Sequence, residues 1–159
     1  MSEHKTTIGR NVLITVSNTA LPAKVDTGAD SSSLWASDIT EANGTLSFVL
    51  CAPGSSLYTG ERITASDYSK VELSSSNGAR STRYVVNVPA SVNNITLPKV
   101  RFTLADRSTM MYPALLGRKT LTGTFIVDVD QEIVGLHAKM HDEKVQRNAQ
   151  ISATLEKGI

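Results

Sequence analysis

Asp26, Thr27 and Gly28 are the residues of this sequence best suited to chemistry. A carboxylate on a tight turn can activate water when ionised and can donate to a carbonyl oxygen when neutral. Two such carboxylates side by side divide these tasks. They cannot both ionise cheaply, so they share one proton and titrate as a pair. The chemistry is hydrolysis of an amide bond by direct attack of water. The neighbouring residues suit it: Ala23-Lys24-Val25 enters the turn, Thr27 offers a hydroxyl to the main chain, and Ala29 is small. Gly28 allows a close backbone approach that a Cβ would block. An Asp-Thr-Gly tripeptide can equally be an ordinary β-turn, so the rest of the chain has to decide.

The chain carries this turn once, since Asp38, Asp67, Asp106, Asp128 and Asp130 lack the strand-Asp-Thr/Ser-Gly context. A site with two carboxylates therefore calls for a second copy, with a twofold axis between the Asp26 side chains. Other chemistries fit less well. His137 and His141 have the i, i+4 spacing of a metal pair, but the intervening Glu of a His-Glu-x-x-His site is absent and no third ligand is evident. No metal and no cofactor are expected. There is no phosphate-binding Gly-x-x-x-x-Gly-Lys-Ser/Thr loop. Cys51 lies in an apolar alternating run and reads as a core residue rather than a nucleophile.

The elements that must position the turn are short strands. Val12–Val16, Ala20–Val25, Ser31–Trp35 and Leu46–Cys51 read as strands, with a hairpin at Asn43-Gly44. Further strands are expected at Val71–Leu73, Tyr84–Val88 (closed by Pro89), Ile95–Leu97, Val100–Leu104 and Phe125–Val129, with Pro98 at an edge or bend. Ala114–Leu121 reads as a strand end turning into a short helix. Ala138–Glu156 has helical composition, with a weak stripe of Met140, Val145, Ala149 and Leu155, and is expected to be a surface helix or frayed tail. The pattern predicts an all-β protein, a small barrel or sandwich.

Composition bounds the rest. The 159 residues suggest one domain, and a net charge of +1 points to neither nucleic acid nor an acidic substrate. The single cysteine excludes an internal disulfide framework and suits a reducing compartment. Residues Met1–Arg10 show no signal-peptide core, and no apolar run is long enough to span a membrane. A soluble, cytoplasmic protein is expected.

Asp26-Thr27-Gly28-Ala29-Asp30 together with Leu115-Leu116-Gly117-Arg118 resembles the paired signature of retropepsins. The resemblance implies a closed acid-protease β-barrel in which the two segments lie side by side, followed by a short helix. Gly117 would let them cross, and Arg118 would pair with Asp30 in a partly buried ion pair. Arg10 would reach toward Asp30 of the second copy. More narrowly, Ile8-Gly9-Arg10, Ala23–Ala29 and the block Leu104–Arg118 are similar to a bacterial family associated with RimK-type glutamate ligases, often labelled ATP-dependent zinc proteases. Where that family commonly has Arg after the Asp-Thr-Gly-Ala, this chain has Asp30, as viral retropepsins do.

The hairpin from Val71 to Val85, with Ser75, Ser76, Asn77 and Gly78 at its tip, is the candidate flap; its small polar tip suits a mobile lid, although an ordinary surface hairpin would look similar. The expected protein is thus a homodimeric aspartic endopeptidase acting on a peptide or protein. Residues 1–136 would form the retropepsin-like domain and 137–159 a C-terminal helix or tail. The alternative is a peptide-binding module of the same fold that does not cleave and acts with a glutamate-ligase system.

Overall fold

The computed structural model describes residues 4–74 and 76–157. In chain order the elements are β1 (Thr6–Ile8), β2 (Asn11–Val16), β3 (Thr19–Val25), β4 (Ser32–Ala42), β5 (Thr45–Leu50), β6 (Arg62–Ala65), β7 (Tyr68–Ser74), β8 (Arg80–Val92), β9 (Ile95–Ala105), β10 (Ala114–Leu116), α1 (Arg118–Leu121), β11 (Phe125–Val127) and α2 (Leu136–Lys157).

Six strands close a barrel in the order β10-β3-β2-β8-β9-β4, and β10 returns to β4. The β10–β3 and β9–β4 pairs are parallel, and the other four are antiparallel. Period-2 alternation makes this possible. On β2, Val12, Ile14 and Val16 are buried while Leu13 is 45% exposed. Ile14, Leu21, Ala23, Leu34, Val86, Phe102, Ala114 and Leu116 fill the interior. The all-β barrel expected from the sequence is the observed fold.

Turn chemistry sets the hairpins. Asn43 and Gly44 both have positive φ (54° and 74°) and join β4 to β5, as their types require. The outer half of β4 continues with β5 and β6 as an antiparallel extension off the barrel. It covers Leu46, Phe48 and Cys51, and burial pushes the Cys51 thiol up to about 11.

Three expectations are corrected. Strand β8 does not close at Pro89 but runs on to Val92, and Asn93-Asn94, both at positive φ, make its turn into β9. Ile95–Leu97 and Val100–Leu104 are one strand. Pairing steps from Val88↔Val100 to Ala90↔Leu97, so Pro89 faces the extra residue of a bulge at Pro98-Lys99. Both prolines sit where the ladder is already interrupted and a missing N–H costs nothing. The third correction is the buried stripe of α2, which holds Leu136, Met140 and Arg147, whereas Val145 is 52% exposed and Ala149 is exposed too. Leu155 lies outside the described side chains. Leu136 and Met140 pack on Tyr112 in a small core separate from the barrel.

Candidate active site

The aspartate turn begins where β3 ends against β10. The Val25 N–H donates to the Arg10 carbonyl (2.9 Å) and the Asp26 N–H to the Leu116 carbonyl (2.9 Å). The ladder thus carries Asp26 one residue past the last paired position, Val25↔Leu116. The Ala29 N–H closes the turn on the Asp26 carbonyl (3.2 Å). The Gly28 N–H donates to Asp26 Oδ1 (2.9 Å), which fixes the carboxylate's orientation. A Cβ on Gly28 would stand 3.2 Å from that oxygen.

Gly117 is where the second segment crosses. A Cβ there would meet the Ser31 carbonyl oxygen at 2.5 Å and that of Ala29 at 2.9 Å. The close approach lets the Arg118 N–H reach the Ala29 carbonyl (2.8 Å) and the Lys119 N–H that of Asp30 (3.0 Å). Ser32 Oγ accepts from the Gly117 N–H (3.1 Å) and bonds the Thr120 hydroxyl. The turn and the Leu-Leu-Gly-Arg segment therefore lie together as the resemblance to retropepsins implied.

Arg118 differs in detail from its expected role. Its Nη1 donates to the Thr27 carbonyl at 3.0 Å, so Thr27 contributes main chain to the site. The Arg118–Asp30 pair spans 3.8 Å, and Lys119 shares the same carboxylate at 3.3 Å. These side chains are more than half exposed in the single chain, so the pair is not the partly buried one anticipated. An exposed pair contributes about 0–1 kcal/mol, and the main-chain bonds do most of the holding. Arg10 is engaged within its own chain, donating to Glu132 Oε2 at 2.8 Å.

A cleft of about 520 Å³ opens beside Asp26. Its walls include Arg10, Lys24, Glu132, Tyr112 and the loop residues Arg107, Met110 and Met111, and α2 contributes His137 and Lys144. A larger cavity, about 620 Å³, lies around Trp35, Pro53 and Arg147 and includes none of the candidate residues. Volume does not decide between them; the oriented carboxylate does. Arg107 is buried at 8% exposure, burial lowers its pKa, and its Nε donates to the Tyr112 carbonyl at 2.9 Å. No carboxylate among the described residues pairs with it. The sequence reading missed Arg107, Tyr112 and the two α2 residues as wall residues. The only signal for Arg107 and Tyr112 was the Asp106-Arg107-Ser108…Tyr112-Pro113 block, which carried family likeness without a role; His137 stood out only for its spacing to His141, and Lys144 for nothing.

The candidate flap is a hairpin, with β7 and β8 paired from Tyr68↔Val86 to Ser74↔Arg80. Gly78 has φ +84°, and Asn77 Oδ1 accepts from the Ala79 N–H at 3.1 Å. Ser75 lies outside the described residues. The described cleft lining comes from other segments than this hairpin. The histidines have separate partners: His137 Nδ1 is 3.2 Å from the Tyr112 hydroxyl, and His141 Nδ1 is 3.8 Å from Asp142. Among the described residues no group of three or more His, Cys, Asp and Glu could hold a metal ion.

A family model described as RimB-like, retropepsin-like aspartic endopeptidase RimB, matches residues 8–138. No curated protein matches the chain. Among solved structures, the Legionella pneumophila protein Lpg0085, of unknown function, is similar at 24% identity with a TM-score of 0.68. The likeness covers 82% of this chain and 98% of that one, and it shows the shared fold.

Proposed function

The chain belongs to the RimB-like family of retropepsin-like aspartic endopeptidases, and on that premise we propose that two copies assemble into an enzyme hydrolysing peptide bonds. One Asp26 carboxylate, ionised, takes a proton from water, and the other, protonated, donates to the scissile carbonyl. The observation that carries this reading is the orientation of Asp26 Oδ1 by the Gly28 N–H at the end of a buried barrel strand. Ala29, Asp30, Gly117 and Arg118 support the turn. The hairpin tip at Ser76, Asn77 and Gly78 serves as the flap that covers a bound peptide.

The second copy supplies the missing carboxylate. Ile126, Val129 and Val134, each at least half exposed, offer it apolar surface on the segment around β11. That segment is tied to the aspartate turn, because the Gln131 carbonyl accepts from the Arg10 N–H and Arg10 in turn bonds Val25. The cleft lining carries Arg10, Lys24, Arg107 and Lys144 against Asp26 and Glu132, which favours a peptide bearing carboxylates. The lone cysteine, Cys51, is free and buried, which suits a bacterial cytoplasm. No helix among the described residues is long and apolar enough to cross a membrane.

The deciding experiment is a peptide-library digest read by mass spectrometry, with wild type and Asp26→Asn in parallel. Wild type should yield discrete products and the variant none, with the same far-ultraviolet spectrum and oligomeric state. Products that persist in Asp26→Asn would sink the mechanism. A folded dimer that binds peptide without cutting it would favour the non-cleaving module.

A further inference from the structure

Helix α2 begins at Leu136, and the family match ends two residues later at 138. Most of this helix therefore lies beyond what the family accounts for, yet it stands against the cleft that holds Asp26.

Three contacts clamp it there. His137 meets Tyr112, with Nδ1 3.2 Å from the phenol oxygen. Arg147, 9% exposed, donates to the Met110 carbonyl (2.9 Å) and the Ser108 carbonyl (3.3 Å) and lies over the Trp35 ring. Glu143 accepts from the Ser56 hydroxyl at 2.8 Å. Two of these clamps land on the Arg107–Tyr112 loop, which itself lines the cleft.

The His137 clamp ends a chain of hydrogen bonds that starts at Asn11. Asn11 Oδ1 accepts from the Ile133 N–H (2.7 Å), a group that can only donate. The Asn11 amide nitrogen must then face Tyr112, 3.2 Å away, and donate to the phenol oxygen. The phenol group and His137 Nδ1 then share one hydrogen bond, whose donor is set by the imidazole tautomer. Asn11 and Tyr112 are 4% and 5% exposed, so a lost partner there is not replaced freely by water.

We propose that α2 is a wall of the substrate cleft, with Tyr112, His137 and Arg147 as positioning residues. They hold the Arg107–Tyr112 loop in shape and place Lys144 where it touches bound peptide. The proposal rests on reading the Asp26 cleft as the peptide site, and it goes beyond that reading by making specificity depend on the C-terminal helix.

The test uses the full chain carrying Asp26→Asn, so that binding is read without turnover, and a fluorescein-labelled Glu-Ala repeat peptide as probe. His137→Ala should speed amide exchange over residues 136–147 and weaken peptide binding, each about five- to tenfold, with β8 and β9 protection unchanged. His137→Asn, whose side-chain amide can take the place of Nδ1 as donor or acceptor, should restore both. Lys144→Ala should weaken binding without changing helix exchange. Unchanged exchange in His137→Ala, or faster exchange with unchanged affinity, overturns the proposal. In the Asp26-intact protein, cleavage with an indifferent His137→Ala would remove the α2 wall alone. Sensitive binding without cleavage would remove the protease reading alone. No peptide binding by any form removes both.

Discussion

At the residue scale, the two glycines of the site do different work. Gly28 holds no strained torsion; its N–H orients Asp26 Oδ1. Gly117 is needed for space, since a Cβ would stand 2.5 Å from the Ser31 carbonyl oxygen and backbone cannot swing away as a side chain can. Gly117→Ala should therefore lower stability by about 1–3 kcal/mol and displace the Arg118 N–H from the aspartate turn. Gly44→Ala is the contrast. Open space surrounds Gly44, and only its φ of +74° resists a side chain, so the cost should be about 1 kcal/mol with the site untouched. Urea midpoints of the two variants, with peptide cleavage measured alongside, check this pair. Gly117 was expected as a crossing point only through the resemblance to retropepsins, and the exposure of Arg118 and Asp30 was not legible at all. The resemblance implied that these two charges are near one another and left open whether water reaches them.

At the element scale, the β7–β8 hairpin and the barrel strands have unequal support. Leu73 is 45% exposed and most of β7 is solvent-facing, whereas Val86, Val88, Ala90 and Val92 of β8 are buried in the barrel. At the base, Tyr68 and Tyr84 rings pack 6.4 Å apart, and Lys70 lies over Tyr84 while pairing with Glu41. The Tyr68 hydroxyl also donates to Glu41, and these bonds lower the Glu41 pKa. The hairpin thus has an anchored root and an unsupported outer half, as a lid requires. Amides near the tip, Leu73 to Thr82, should exchange at least about a hundredfold faster than those of Val86 to Val92. Equal protection along the whole of β8 would argue for an ordinary surface hairpin. The hairpin itself was readable from its alternation and its Ser-Asn-Gly turn. The single long β9 was not, because Pro98 reads as a strand end until its bulge partner, Pro89, is known.

At the scale of the whole molecule, one chain offers one oriented Asp26, so the proposed activity belongs to a pair. Wild-type chains mixed in equal amounts with Asp26→Asn chains and allowed to exchange should keep about a quarter of the activity of an all-wild-type sample, because about a quarter of random dimers retain both carboxylates. Chains that act singly would keep about half. A titration of the mixing ratio distinguishes a quadratic from a linear decline.

What the sequence determined by itself is local in origin. Strand alternation, the Asn43-Gly44 hairpin and the aspartate turn each follow from neighbouring residue types and predict a small barrel or sandwich, and the resemblance carried by the Asp26–Asp30 and Leu115–Arg118 segments implied the closed barrel. Tertiary structure alone decided the cleft. A net charge of +1 hides the gathering of Arg10, Lys24, Arg107 and Lys144 around Asp26. The Asn11–Tyr112–His137 chain joins residues 101 and 25 positions apart, and Arg10 meets Glu132 across 122. Such contacts are set by how the barrel closes and where the last helix lands, and no local propensity carries that information.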